Sequence, residues 1–132
     1  MRQIGIYFLI LICLISCKKQ DTAQITSIDY SGKYQGQVMV TNSGSNSTFP
    51  YDMGIDIYKG NNDTEIKILF GVWLSIATLQ GSKFTIQTQT FSGNVIISGN
   101  GEFNGTKVTM HYIQGTSLNS LTNSYSGILT KL

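Results

Sequence analysis

Proline is nearly missing from this chain of 132 residues, in which Pro50 stands alone. Cysteine occurs only at positions 13 and 17. Everything beyond residue 17 therefore lacks a thiol, which excludes disulfides and cysteine-based metal sites there, even in an oxidising compartment. Histidine occurs once, as His111, and alternation along its segment sets it on an outer face. One outward imidazole supports neither a histidine metal cluster nor a Ser-His-Asp relay. Arginine is confined to Arg2, and beyond Lys19 six lysines face seven acidic residues, leaving a net charge near −1. That balance gives no basic face for nucleic acid. The longest uncharged apolar run, Ile4–Ile15, has 12 residues, short of the roughly 20 that a membrane-spanning helix needs. No Ser-x-x-Glu helix start precedes an apolar run, so the usual N-capping signature is missing as well.

Gly, Ser, Thr and Asn are plentiful, and Val, Ile, Tyr, Phe and Thr fill the apolar and β-branched positions. This composition favours strands joined by turns. Alternation is explicit along the chain. Tyr34, Gly36, Val38 and Val40 share one face against Lys33, Gln35 and Gln37, and Met53, Ile55 and Ile57 oppose Asp52, Gly54 and Asp56. The same period of two runs through Ile66–Phe70, Phe84–Thr88, Val95–Ile97, Val108–Tyr112 and Tyr125–Leu129, as half-buried strands require. Expected strands are 33–41, 51–59, 64–70, 72–79, 83–89, 93–99, 106–113 and 125–131, with long loops at 42–50 and 114–124. Segment 71–79, GVWLSIATL, is apolar on both alternating sets. It reads as a strand covered on both sides, or as a short helix. Aromatic-x-Gly recurs, with pairs beginning at Tyr30, Tyr34, Phe91, Phe103 and Tyr125 among others. In a strand such a pair shares a face, and the glycine leaves room for a ring or permits sharp coiling.

Eight short strands with tight turns imply an all-β, antiparallel, up-and-down meander. Such a sheet removes its edges by closing its last strand on its first. The ending SYSGILTKL matches the opening YSGKYQGQVMV for that pairing. Over roughly residues 28–132 the chain resembles the lipocalin-like lipoproteins of Bacteroidota, whose small calycin-type barrels also finish on a Gly-x-Leu strand. The resemblance implies an eight-stranded lipocalin-like barrel, with a two-sheet sandwich as the alternative. True lipocalins carry Gly-x-Trp in the first strand; here Gly32-Lys33-Tyr34 takes that place and the one tryptophan is Trp73.

The N-terminus has the order of a secretory signal: a positive start, an apolar middle and a small residue before the cut. Leu14-Ile15-Ser16-Cys17 resembles the bacterial lipobox. The resemblance implies cleavage after Ser16, leaving 116 residues, and lipidation of Cys17. Lys18 and Lys19 would then lie against anionic headgroups, and two or three acyl chains would hold the protein firmly without a span. Residues 1–16 thus read as a lipoprotein signal peptide, 17–28 as the lipidated cysteine and a polar tether, and 29–132 as one barrel domain. Lys18 stands where an Asp favours inner-membrane retention in enterobacterial lipoproteins, so the expected location is the cell outer membrane, lipid-anchored, on the periplasmic or the outer surface. Asp21-Thr22-Ala23 resembles an O-glycosylation sequon of exported Bacteroidota proteins, with Thr22 the acceptor. The Asn-x-Ser/Thr triplets at Asn46, Asn62 and Asn104 read as turns, because a lipobox argues against an N-glycosylating pathway.

Chemistry is sparse. Asp52 and Asp56 share a strand face but lie about 13 Å apart, beyond the roughly 5–9.5 Å of a glycosidase pair. The glycine-rich SGNGEFNG lacks the Lys and following helix of a phosphate loop and reads as a tight hairpin. The sequence therefore indicates no catalytic residues, no metal and no cofactor. Two functions are expected: a non-catalytic barrel binding a small apolar or amphipathic ligand, or an envelope structural or protein-interaction module with a filled core. In a meander the connections at 42–50 and 114–124 fall at one end, which suggests a mouth between them. Trp73, Tyr34 and Tyr112 are the candidate ligand contacts.

Overall fold

The computed structural model describes residues 28–116 and 119–132, with the side chains of 119 and 120 left aside. Cys17, Thr22, the signal segment and nearly all of the tether lie outside the described residues. Eight strands follow one another: β1 (Gly32–Asn42), β2 (Ser47–Lys59), β3 (Glu65–Phe70), β4 (Trp73–Gln80), β5 (Lys83–Thr90), β6 (Val95–Asn104), β7 (Lys107–Thr116) and β8 (Asn119–Lys131). A 3-10 turn, Ser92–Asn94, precedes β6. Each strand pairs antiparallel with its sequence neighbour and β8 pairs with β1, which gives a closed up-and-down barrel. The architecture is the one expected, and its topology is consistent with the lipocalin-like barrels.

Alternation positions the core. Tyr34, Val38 and Val40 of β1 point inward, as do Ile55 and Ile57 of β2, Ile66 and Ile68 of β3, Phe84 and Ile86 of β5, Ile97 and Phe103 of β6, Val108 and Met110 of β7, and Leu129 of β8. Each such aliphatic or aromatic side chain contributes roughly 1.5–3 kcal/mol by leaving water. The barrel closes where glycines let backbones approach. A Cβ on Gly127 would lie 2.8 Å from the Val38 Cα, and one on Gly36 would lie 3.2 Å from the Leu129 Cα. Those two glycines fit the close-approach reading. Gly93 and Gly105 instead have φ of +78° and +60° in turns, where a positive φ favours glycine over any residue with a Cβ.

Segment 71–79 is a strand from Trp73 onward, and only one side of it is covered. Trp73, Ser75, Ala77 and Leu79 face inward, while Leu74 and Ile76 stay 46% and 48% exposed. Three loop boundaries also move. The first loop shrinks to 43–46 because Ser47–Pro50 pair in register with Met39–Asn42. At the seventh, β7 runs on to Thr116 and β8 starts at Asn119, which pair with each other, while Asn123 and Ser124 pair with both β1 and β7. SGNGEFNG is mostly strand, since Ser98–Asn104 pair with Lys107–Ile113. Ladder pairing, with one neighbour at Ser47–Pro50 and with two at Asn123–Ser124, overcomes the weak strand propensity of Ser, Asn and Gly in these stretches. Asn46 and Asn62 are turn residues as expected: Asn46 has φ +50°, and the Asn62 Oδ1 accepts from the Thr64 N at 2.9 Å.

The wall is weakest between β4 and β5, which share only the pairs Thr78–Thr85 to Gln80–Lys83. Further along, where β4 and β5 no longer pair through their backbones, the Gln89 side-chain amide bridges them. It accepts from the Ile76 N at 2.9 Å and donates to the Ile76 O at 2.5 Å.

Candidate ligand-binding mouth

The two ends of the barrel are built differently. At the end carrying the turns 60–64, 81–82 and 105–106, aromatic rings form a plug. Tyr30 stacks on Phe103 at 4.0 Å, Phe84 packs on Phe103 at 5.3 Å, and Tyr34 tilts against Phe103 at 6.1 Å. The Tyr34 hydroxyl donates to the Tyr30 carbonyl at 2.8 Å. Burial raises the Tyr34 pKa above the usual tyrosine value, so the hydroxyl is held as a proton donor. The chain enters the barrel here, and Asp29 pairs with Lys59 at 3.5 Å on the outside.

The opposite end carries the turns 43–46, 71–72 and 91–94 and the connection from β7 to β8. Both connections expected to be long fall at this end, so the strand parity is as read. The first is a tight hairpin turn, β8 begins only three residues after β7 ends, and the strands beside both connections project. β2 first meets β3 at Ile55–Phe70, so Ser47–Gly54 pair with β1 on one edge only. The projecting inner faces border a hollow of about 440 Å³ lined by Tyr51, Met53, Phe70, Trp73, Tyr112, Gln114 and Tyr125. A smaller hollow of about 210 Å³, between Asn42, Val95, Thr116, Thr122 and Asn123, shares Gln114 with it.

Its walls are aromatic. Trp73 packs on Phe91 at 5.6 Å on one side; on the other, Tyr125 stacks nearly parallel on Tyr112 at 4.4 Å. Phe70, 4.5 Å from Tyr112, completes the floor with Met53. Burial, then the neighbouring Tyr125 and Tyr51 hydroxyls, push the Tyr112 pKa far up. Tyr112 therefore stays neutral across the physiological range. Beneath the floor the bore is filled by Ile68, Ile97, Val108 and Leu129, all fully buried. The Ser75 Oγ is buried there without a hydrogen-bond partner among the described residues.

The polar groups at the rim are amides. Asn42 donates through Nδ2 to the Asn123 Oδ1 at 2.8 Å, while its own Oδ1 accepts from the Gly44 and Ser45 amides. Asn42 is thus fixed by the turn and in turn fixes Asn123. None of the residues lining either hollow is Lys, Arg, His, Asp or Glu. His111 lies on the outer face as expected, its Nε2 2.9 Å from the Ser124 Oγ. Among the described residues no group of three or more His, Cys, Asp or Glu is placed to hold a metal.

Of the three expected contacts, Trp73 and Tyr112 meet in this hollow, whereas Tyr34 is buried in the plug at the far end. Tyr51, Phe91, Gln114, Tyr125, Asn42 and Asn123 do not stand out in the sequence as contacts. Tyr51 is within reach of it, because Tyr51, Met53, Ile55 and Ile57 share one alternating set. Tyr125 extends the set of Gly127 and Leu129 in the same way. Compared with known proteins, the chain matches no family model and no curated protein sequence.

Proposed function

We propose that this protein is a lipid-anchored envelope protein whose barrel binds a small amphipathic ligand at its open end, without catalysis. The observation that carries the reading is the aromatic hollow between Trp73 and Tyr125 over a sealed floor. Open barrel ends lined by aromatics with a few polar groups are favoured ligand sites. Anchoring rests on Leu14-Ile15-Ser16-Cys17, with lipid on Cys17 and the outer membrane as the partner surface. Thr22 remains the candidate glycosylation site in the tether.

A second reading, an envelope structural or protein-interaction module, is favoured by the filled bore. It also fits the outer apolar stripe of Val72, Leu74 and Ile76, which are 80%, 46% and 48% exposed. The two separate on ligand occupancy. Native mass spectrometry of protein purified from its own host should show a co-purifying small molecule that Trp73→Ala releases. Protein that is uniformly ligand-free and leaves Trp73 emission unmoved by added extracts favours the module. Anchoring is tested independently: palmitate should label the protein and Cys17→Ala should not. Continued labelling and membrane fractionation of Cys17→Ala would disprove the anchor.

A further inference from the structure

We infer that the ligand of the mouth is a neutral saccharide, held by a sugar ring between aromatic faces and by side-chain amides at the rim. The inference rests on the ligand-binding reading above and specifies the chemistry of that site.

Three observations exclude charged and long-chain ligands and favour a ring left open to water. First, the linings of both hollows hold no ionic side chain. The carboxylate of a fatty acid, a phosphate or an ammonium group would lose water there without gaining a counter-charge, which is costly. Second, an acyl tail needs a bore, and the interior below Met53, Phe70 and Tyr112 is filled with fully buried side chains. A flat or ring-shaped ligand fits the open hollow; a long chain has nowhere to go. Third, the mouth is open along its β2 side, where Ser47–Gly54 pair with β1 but have no neighbour on the β3 edge. An internal unit of a longer chain can therefore enter sideways, with its ends left in water.

Two positive features complete the match. A pyranose ring has an apolar C–H face and an equatorial belt of hydroxyls. Trp73 and Tyr125 offer flat, amphipathic surfaces to the first. Gln114 and Asn123 offer primary amides to the second, and a primary amide donates and accepts at once, as vicinal hydroxyls require. Among the described residues the Gln114 amide makes no hydrogen bond, and Asn123 is held in place through its Oδ1 by Asn42 at 2.8 Å. Its Nδ2 hydrogens remain for a ligand. The neutral Tyr112 hydroxyl at the floor adds a further donor without adding charge.

The test uses the mature lipidated protein in a detergent without a sugar headgroup, screened against an array of neutral and acidic glycans. Palmitate is titrated in parallel. Trp73 is the one tryptophan, so its emission reports on the mouth directly. At least one neutral glycan should bind and shift that emission, with a Kd unchanged between low and high salt. Gln114→Ala should weaken it about tenfold, the scale of one lost hydrogen bond, at unchanged Tm. Trp73→Phe, which keeps a ring in the wall, should retain part of the affinity and so separate loss of stacking from loss of fold. Palmitate binding at Trp73 with no neutral glycan bound would overturn the saccharide inference while leaving the ligand site standing. A preference for acidic glycans that fades with salt would overturn it too, as would glycan binding indifferent to Gln114→Ala. If neither glycans nor palmitate bind, both the inference and the ligand-binding reading fail.

Discussion

One end of this barrel buries its aromatic rings and the other displays them. At the plug, Phe103 touches Tyr30, Tyr34 and Phe84, and the Tyr34 hydroxyl is spent on the Tyr30 carbonyl. At the mouth, Tyr51 is 51% exposed and Trp73 and Tyr125 are half-buried, although they sit on the same inward-facing sets as the core. Composition does not separate the ends, for both are rich in Tyr and Phe. Strand length does: β1, β2, β7 and β8 run on past the point where β3 and β4 turn, so the rings they carry there lack an opposite wall. The hollow is made by leaving one side of the barrel unfinished.

The largest effect that would break this contrast is at the plug. Phe103→Ala should cost about 3–5 kcal/mol of stability, as truncation of a packed aromatic does. Denaturant melts would read this as a lower midpoint. Under conditions where the variant is folded, Trp73 emission should match the parent, because the ring it loses lies at the far end. A loss below about 1 kcal/mol would mean that the plug is not packed as described; a shifted Trp73 spectrum would mean that the two ends are coupled.

Much of this arrangement is legible in the sequence, and what is not has a common cause. Period-two alternation identifies the inward residues from Tyr34 to Leu129, and strand parity alone puts the 42–50 and 114–124 connections at one end. What a single strand cannot show is how far its neighbour follows it. Ser47–Phe49 and Asn119–Ser124 look like loops by propensity; the first becomes strand because β1 offers it a ladder, the second because β7 does, with β1 joining at Asn123 and Ser124. The same gap hides the difference between Tyr34 and Tyr112. Both are inward tyrosines on alternating strands, but one lies toward the plug and the other at the mouth, and only register separates them. Gln114 and Asn123, lying inside an expected loop, give no sign of facing a hollow.

A smaller effect sharpens the contrast from within the mouth. The floor residue Tyr112 has a pKa raised by burial and by the adjoining Tyr125. A group whose folded pKa exceeds its unfolded value of about 10 contributes fully below that value and loses its contribution as pH rises above it. Unfolding should therefore become easier above about pH 10, by about 1.4 kcal/mol per pH unit for this one group. Tyr112→Phe should flatten that part of the stability–pH profile and leave the neutral region nearly unchanged. An alkaline slope identical in parent and variant would show that the Tyr112 hydroxyl titrates freely in water, and the floor would then be open.

The smallest effect on stability is expected at the rim, where the unfinished side has a hazard of its own. An unpaired strand edge is a template for another strand, and proteins blunt it with proline and charge. In β2 the even-numbered residues turn their amides toward the β3 side, as the Gly60 N shows by donating to the Glu65 carbonyl at 3.0 Å. Pro50 has that parity, so its missing N–H falls on the open edge and costs the β1 ladder nothing. The chain's single proline therefore sits where an edge most needs interruption, and Asp52, exposed two residues on, adds a charge there. Pro50→Thr should leave the monomer's stability within about 0.5 kcal/mol, the usual range for an exposed substitution. It restores a donor between Thr48 and Asp52, so the edge from Thr48 to Gly54 becomes continuous. Sedimentation velocity across a concentration series should show the variant associating at lower concentration than the parent. Pro50→Thr combined with Asp52→Thr should associate more readily still. If both variants sediment like the parent at every concentration, the β2 edge is protected by something other than these two residues.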